Sequence, residues 1–132
     1  MIKLEIVTPE KKALSETVDM VTIPTASGEI GILPNHAPLI SALQPGILSY
    51  TKGNTVNRLV VSGGFVEVGE NKVSVLANIA ETSEEINPEQ ARLEKGEAEK
   101  VLGTWGGSEE EFEIEKEKLG RAEARLQLAA GK

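Results

Sequence analysis

Apolar and polar positions alternate over short runs through the first two thirds of the chain. Leu4-Glu5-Ile6-Val7-Thr8, Val18-Asp19-Met20-Val21-Thr22-Ile23 and Lys72-Val73-Ser74-Val75-Leu76-Ala77 are rich in β-branched residues, and several place an apolar side chain at every second position, as a strand with one buried face requires. Gly46-Ile47-Leu48-Ser49-Tyr50, Val56-Asn57-Arg58-Leu59-Val60-Val61 and Phe65-Val66-Glu67-Val68 read the same way. Between them lie turn signals at Lys52-Gly53-Asn54, Ser62-Gly63-Gly64 and Gly69-Glu70-Asn71. Turns spaced about 8 to 12 residues apart belong to an antiparallel sandwich or small barrel. A β-sandwich is expected over residues 1–83.

Beyond Ser83 the period lengthens. Asn87-Pro88-Glu89-Gln90 sets a helix cap before a proline at the first helical position, where its missing N–H costs nothing. Ser108-Glu109-Glu110-Glu111 repeats the device, with carboxylates at the positive end of the helix dipole. Helices are expected over 88–102 and 108–130, folded back on each other through Gly103-Thr104-Trp105-Gly106-Gly107. The fold class is thus β + α: an N-terminal antiparallel β-sandwich followed by a C-terminal two-helix αα-hairpin, residues 84–132.

The hairpin has little with which to bind. Its second helix offers one narrow apolar stripe, Phe112, Leu119, Ala122, Leu126 and Ala129, and the first offers Ala91, Leu93, Ala98, Val101 and Leu102. Each also carries an interior glycine, Gly96 or Gly120, at a cost of about 1 kcal/mol relative to alanine. Such faces bury little area at about 25 cal/mol per Å². A detachable arm is expected.

Composition narrows the functions. The 132 residues carry a formal charge of -7, of which net -5 (8 basic, 13 acidic) lies in residues 84–132. Nucleic acid is excluded as a partner, because phosphate binding needs clustered Lys and Arg. No cysteine is present, so neither disulfides nor thiolate metal sites are expected. No 18-residue uncharged apolar run occurs, so no transmembrane helix is expected. With four aromatic residues in all, the core must be aliphatic.

The densest pattern is Gly28-Glu29-Ile30-Gly31-Ile32-Leu33-Pro34-Asn35-His36-Ala37-Pro38-Leu39, which holds two glycines, two prolines and the only histidine. Glycines permit angles closed to other residues and prolines fix their own φ, so a tight, rigid loop is expected, suited to docking more than to reaction. His36 reads either as a general base or as a loop-fixing or interface residue; no Ser or Cys nucleophile with an orienting acid accompanies it. Gly63-Gly64-Phe65-Val66-Glu67-Val68-Gly69 has the glycines of a phosphate loop but no following Gly-Lys-Ser/Thr, and a hairpin turn is expected there. The glutamates from 109 to 117 read as a solvated helix start, since no loop glycine interleaves them at calcium-ligand spacing. No metal and no cofactor are expected.

Gly28 to Leu39, followed by Leu43-Gln44-Pro45-Gly46-Ile47-Leu48 and by Val61-Ser62-Gly63-Gly64-Phe65-Val66-Glu67-Val68, resembles the signature of the epsilon subunit of F-type ATP synthases. The order of parts and the overall length are similar from end to end. The Leu-Pro-Asn-His-Ala-Pro wording is similar to photosynthetic members, cyanobacterial or chloroplast, which would place the complex at the cytoplasmic or stromal face of a thylakoid membrane.

The resemblance implies a non-catalytic rotor subunit, peripheral to the membrane. Its sandwich would sit beside the gamma subunit and on the c-subunit ring, with Glu29, Ile30 and Gly31 at the ring and His36 at a neighbouring rotor contact; without the resemblance, Glu29 reads as a hairpin-tip charge. The helical arm would reach the alpha and beta catalytic subunits and block ATP hydrolysis, with Lys118, Arg121 and Arg125 as the inhibitory cations. Their other reading is i to i+4 pairing with Glu117 and similar neighbours. Some relatives bind ATP through an Ile/Leu-Asp-x-x-Arg-Ala motif, where this chain has Ile86-Asn87-Pro88-Glu89-Gln90-Ala91; the acid and the arginine are gone, and no nucleotide site is expected. The alternative is a stand-alone β-sandwich module that presents the proline-rich loop to a protein partner.

Overall fold

The structure, a computed structural model, describes residues 1–10, 12–103 and 107–130. Eight strands, β1 (Ile2–Val7), β2 (Lys12–Val18), β3 (Met20–Thr25), β4 (Gly28–Ile32), β5 (Leu39–Ala42), β6 (Gly46–Lys52), β7 (Thr55–Gly69) and β8 (Lys72–Thr82), precede a 3-10 turn (Ser83–Glu85) and two helices, α1 (Pro88–Gly103) and α2 (Glu109–Ala130). The strands are bonded in the order β2-β1-β8-β7-β6-β3-β4, with β5 also on β7.

This continuous sheet becomes a sandwich because β7 changes partner along its length. Residues 55–61 pair with β6 and residues 65–68 with β5, while β8 flanks β7 from Leu59 to Gly69 and meets β1 along residues 72–76. One layer is therefore β2-β1-β8-β7-β5 and the other β4-β3-β6-β7-β8. The switch falls at Gly63 and Gly64, with φ of +72° and +90°. A Cβ on Gly64 would lie 1.7 Å from the Leu76 carbonyl oxygen, so no other residue fits. The hairpin turn expected at residues 63–69 is corrected accordingly: all seven residues belong to a 15-residue strand, and Gly63 and Gly64 kink that strand without ending it.

Leu4 and Ile6 of β1, Val21 and Ile23 of β3, Leu48 of β6, Val66 of β7 and Val75 of β8 are fully buried between the layers. The core is aliphatic, as the composition demands, and Phe65 stays outside it. Two other expectations need correction. Gly28 to Leu39 is not one loop: residues 28–32 form β4 against β3, only residues 33–38 connect, and Leu39 opens β5. The sandwich also contains a parallel pair, β1 with β8, among otherwise antiparallel neighbours.

The helices start where their caps stand. Asn87 Oδ1 accepts the Gln90 N–H at 3.1 Å and Ser108 Oγ the Glu111 N–H at 3.2 Å, each satisfying an otherwise unpaired first-turn donor. Much of the expected connection, including Thr104 and Trp105, lies outside the described residues. Ala91 and Ala98 of α1 and Ala122 of α2 are buried, whereas Leu93 and Val101 point to solvent, so the face of α1 is narrower than its composition suggests. On α2 the expected single stripe is joined by a second: Ala124 and Leu128 pack with Val60, Ile86 and the half-buried Ile47 on the outside of the sandwich.

Candidate functional site

The β3–β4 hairpin tip is firmly held. Thr25 is buried, and its hydroxyl donates to the Gly28 carbonyl at 2.6 Å and accepts the Ser27 N–H at 3.2 Å. The backbone N–H of Ala26 reaches Ala42 O, and that of Leu43 reaches Gly64 O, fixing the tip beside the kink of β7. Along β4, Glu29 and Gly31 are exposed, while Ile30 packs half-buried against the core. Ile30 therefore offers a partner much less surface than Glu29. Glu29 shares a surface groove with Thr22, Arg58 and, from α2, Gln127 and Leu128.

His36 lies elsewhere. Leu33 to His36 close a turn in which the His36 N–H donates to Leu33 O at 3.2 Å, with Pro34 at the second position and Asn35 at φ +65° in the third, the arrangement of a type II turn. His36 Nδ1 lies 2.7 Å from the Ala37 carbonyl oxygen; that oxygen can only accept, so the bond requires the proton on Nδ1 and leaves Nε2 to face a partner. The turn is bonded to Asn71, at the far end of β7 from Gly64. Glu29 lies on β4 in one layer, and the His36 turn sits at the Gly69 end of the other, about 3.3 Å per residue over five steps of β7 beyond Gly64. They do not form one constellation.

The three cations of the arm have different surroundings. Lys118 is exposed and pairs with Glu115 at 3.2 Å. Arg121 Nε is buried, with no hydrogen-bond partner among the described residues. Arg125 is the most engaged: its Nε donates to Glu81 Oε1 of β8 at 2.6 Å, and its Nη1 to Glu94 Oε1 of α1 at 3.1 Å. Glu117 accepts from the buried Ser62 hydroxyl at 3.4 Å, a contact to the sandwich where sequence spacing suggested i to i+4 pairing with Arg121. The partners of Arg125 and Glu117 are tens of residues away in the chain, so spacing could not reveal them. The adjacent i, i+4 pair Ala124 and Leu128 was the one available sign of a second packing face.

Beside Arg125 lies a cavity of about 140 Å³ that includes Ile86, Asn87 and Gln90 and the carboxylates Glu81, Glu85 and Glu94. Drug-sized ligands occupy about 300 to 1,000 Å³. Three carboxylates against one guanidinium also disfavour a phosphate.

At the other end of the molecule Glu5 is surrounded by Lys3, Lys12 and Lys72 at 3.6, 3.7 and 3.8 Å. These ammonium groups, Lys12 foremost, hold its carboxyl below the usual carboxylate range. Burial, reinforced by Glu16, raises the Tyr50 hydroxyl above its ordinary value.

Known proteins share this architecture. Residues 1–83 match the family described as ATP synthase, Delta/Epsilon chain, beta-sandwich domain. The ATP synthase epsilon chain of Herpetosiphon aurantiacus is 44% identical over 128 residues, 97% of this chain and 93% of that one. That of Geotalea daltonii is 41% identical over 128 residues, with the same coverage of both chains. Among solved structures, a chain of the Euglena gracilis mitochondrial ATP synthase, in an assembly of OSCP, F1 and c-ring, superposes with a TM-score of 0.81 at 29% identity, over 98% of this chain and 81% of that one. A chain of the Tetrahymena thermophila central stalk and c-ring shares the fold, with a TM-score of 0.67 at 17% identity, over 98% of this chain and 94% of that one. With its sandwich matched as a unit and two relatives aligned over nearly its whole length, this chain belongs to the epsilon-subunit family of F-type ATP synthases.

Proposed function

We propose that the chain is a non-catalytic central-stalk subunit in which residues 1–83 anchor to the rotor and residues 84–132 form a brake on ATP hydrolysis. The observation that carries this reading is the separation of the two hydrophobic clusters. The main core draws only on residues up to Ala80, while the arm is held by a satellite cluster of Val60, Ile86, Ala124 and Leu128. Releasing the arm leaves the main core intact.

On this reading the sandwich binds the gamma subunit and the c-ring, Glu29 and Gly31 reach the ring, and His36 meets a neighbouring rotor subunit. Its firmly bonded tip and turn suit a joint that transmits torque. Released from the sandwich, the arm carries Lys118, Arg121 and Arg125 to the acidic surfaces of the alpha and beta subunits. The docked state uses these groups unequally: Arg125 is satisfied, whereas the unpaired Arg121 Nε costs about 1 to 3 kcal/mol and favours release. The unpaired Arg121 offsets part of what the docking contacts gain, and a smaller net balance is easier for weak contacts to shift.

The small, carboxylate-rich cavity beside Arg125, with Asn87 and Gln90 in the motif, supports weak nucleotide binding or none. The complex is membrane-bound and this subunit peripheral to it, consistent with the lack of any described helix long and apolar enough to cross a bilayer. A thylakoid location has its support in the Leu-Pro-Asn-His-Ala-Pro wording alone, since the proteins named above come from two bacteria and two mitochondrial enzymes.

The test is ATP hydrolysis by an alpha-beta-gamma complex titrated with the full chain and with one ended after Ser83. Inhibition by the full chain, with binding but no inhibition by the short one, is the expected result. Failure of both to bind the complex would overturn the reading.

A further inference from the structure

The His36-bearing turn does not hold itself in place. The side chain that reaches it belongs to Asn71, distant in sequence: Asn71 Oδ1 accepts the Asn35 N–H at 2.9 Å, and Asn71 Nδ2 donates to Asn35 Oδ1 at 3.4 Å. Asn35 is the left-handed residue of the turn, and Asn71 is left-handed as well, at φ +53° between β7 and β8. Asn71 also accepts the backbone N–H of Lys3 at 2.9 Å through its carbonyl oxygen. One residue therefore ties together the start of β1, the β7–β8 turn and the Leu33–His36 turn.

We infer that Asn71 is the positioning residue of the His36 contact: its carboxamide fixes the left-handed Asn35 and with it the direction in which His36 presents Nε2. The inference rests on the reading that this turn meets a neighbouring rotor subunit. The energetic logic is preorganisation. A left-handed non-glycine residue is unfavourable by itself, and a turn locked before binding loses less entropy on association. The bond to the Asn35 N–H uses only the side chain of Asn71, whereas the bond from Lys3 uses only its backbone, so the two can be separated by substitution.

Asn71→Gly keeps the positive φ at no steric cost and keeps the carbonyl for Lys3, while removing the clamp. Asn71→Asp keeps an oxygen for the Asn35 N–H. The experiment uses the full chain carrying either substitution, with His36→Ala as reference. It measures residue-resolved amide exchange and affinity for the assembled synthase depleted of this subunit. Asn71→Gly is expected to speed exchange at Asn35 by about five- to tenfold while leaving Val60 and Val66 unchanged, and to weaken binding several-fold, as His36→Ala does; Asn71→Asp is expected to restore slow exchange at Asn35. Unchanged exchange at Asn35 in Asn71→Gly overturns the inference. So does weakened binding by His36→Ala alone. If Asn35 exchange rises and neither variant alters affinity, the rotor contact assigned to His36 falls and the role inferred for Asn71 falls with it, although the clamp is real.

Discussion

Arg125 and Glu81 form the one ion pair among the described residues that ties the helical arm to the sandwich, Nε to Oε1 at 2.6 Å. Glu94 of α1 takes the other side of the same guanidinium. The arginine thus joins three elements, and it is one of the cations proposed above to inhibit. Arg125 cannot occupy the clip and reach a catalytic subunit at once. Glu81→Gln removes the charge that pins α2 to β8 and leaves Arg125 itself intact. With both groups partly buried, the expected weakening of docking is about 1 to 2 kcal/mol. Faster proteolysis of the arm under native conditions and stronger inhibition of ATP hydrolysis than by the unmodified chain would show it; equal inhibition would mean that release of the arm does not limit the brake.

Gly64 makes a sharper prediction about the sandwich. Its φ of +90° and the Leu76 carbonyl in the place of a Cβ combine backbone strain with a clash against backbone, which cannot step aside. Gly64→Ala is expected to cost more than about 4 kcal/mol and so to abolish most of the folded population. Gly69→Ala, where a Cβ meets nothing within 4 Å, is the matched control and should unfold near the wild-type urea midpoint.

The same glycine pair shows what the sequence could and could not disclose. Two adjacent glycines between apolar runs read as a turn by local chemistry, and their left-handed angles agree with that. Only the partners of β7, β6 before them and β5 after, turn the same angles into a kink, and such pairing is tertiary. β2 went unread because an edge strand with a mixed burial pattern has no clean alternation, and β4 because Gly28 and Gly31 masked a five-residue strand. The helix starts were legible, since a cap acts within three residues of itself. The surroundings of Arg125 were not, because Glu81 lies 44 residues earlier.

Glu5 ties stability to pH. Lys12, then Lys72 and Lys3, lower its proton affinity in the folded state. A carboxyl depressed in this way stabilises the fold fully above its unfolded pKa, and loses that contribution as pH falls through the lower folded value. Glu5→Gln should therefore reduce the urea midpoint at neutral pH, where it also leaves three lysines facing one another, and the wild-type and variant curves should converge in acid. Because the site is open to solvent, added salt should narrow the gap at neutral pH. A gap independent of pH would assign the effect to packing.

The two interior glycines of the arm should respond differently to alanine. Gly96 faces solvent, with nothing within 4 Å of a would-be Cβ, so Gly96→Ala is expected to stabilise α1 by about 1 kcal/mol. Gly120 lies where α2 crosses the sandwich, and its Cβ would stand 3.3 Å from Cβ of Pro45, tight enough that helix or proline must shift. Gly120→Ala gains the same helix propensity but spends it against that contact, so the helix is favoured while its docking is loosened. Circular dichroism on heating should show a higher helix midpoint for Gly96→Ala than for Gly120→Ala. Native-state proteolysis should show the arm more exposed in Gly120→Ala alone. Equal protection of the arm in both variants would mean that Pro45 yields, and that the small residue at this crossing is not what sets how closely the arm can sit.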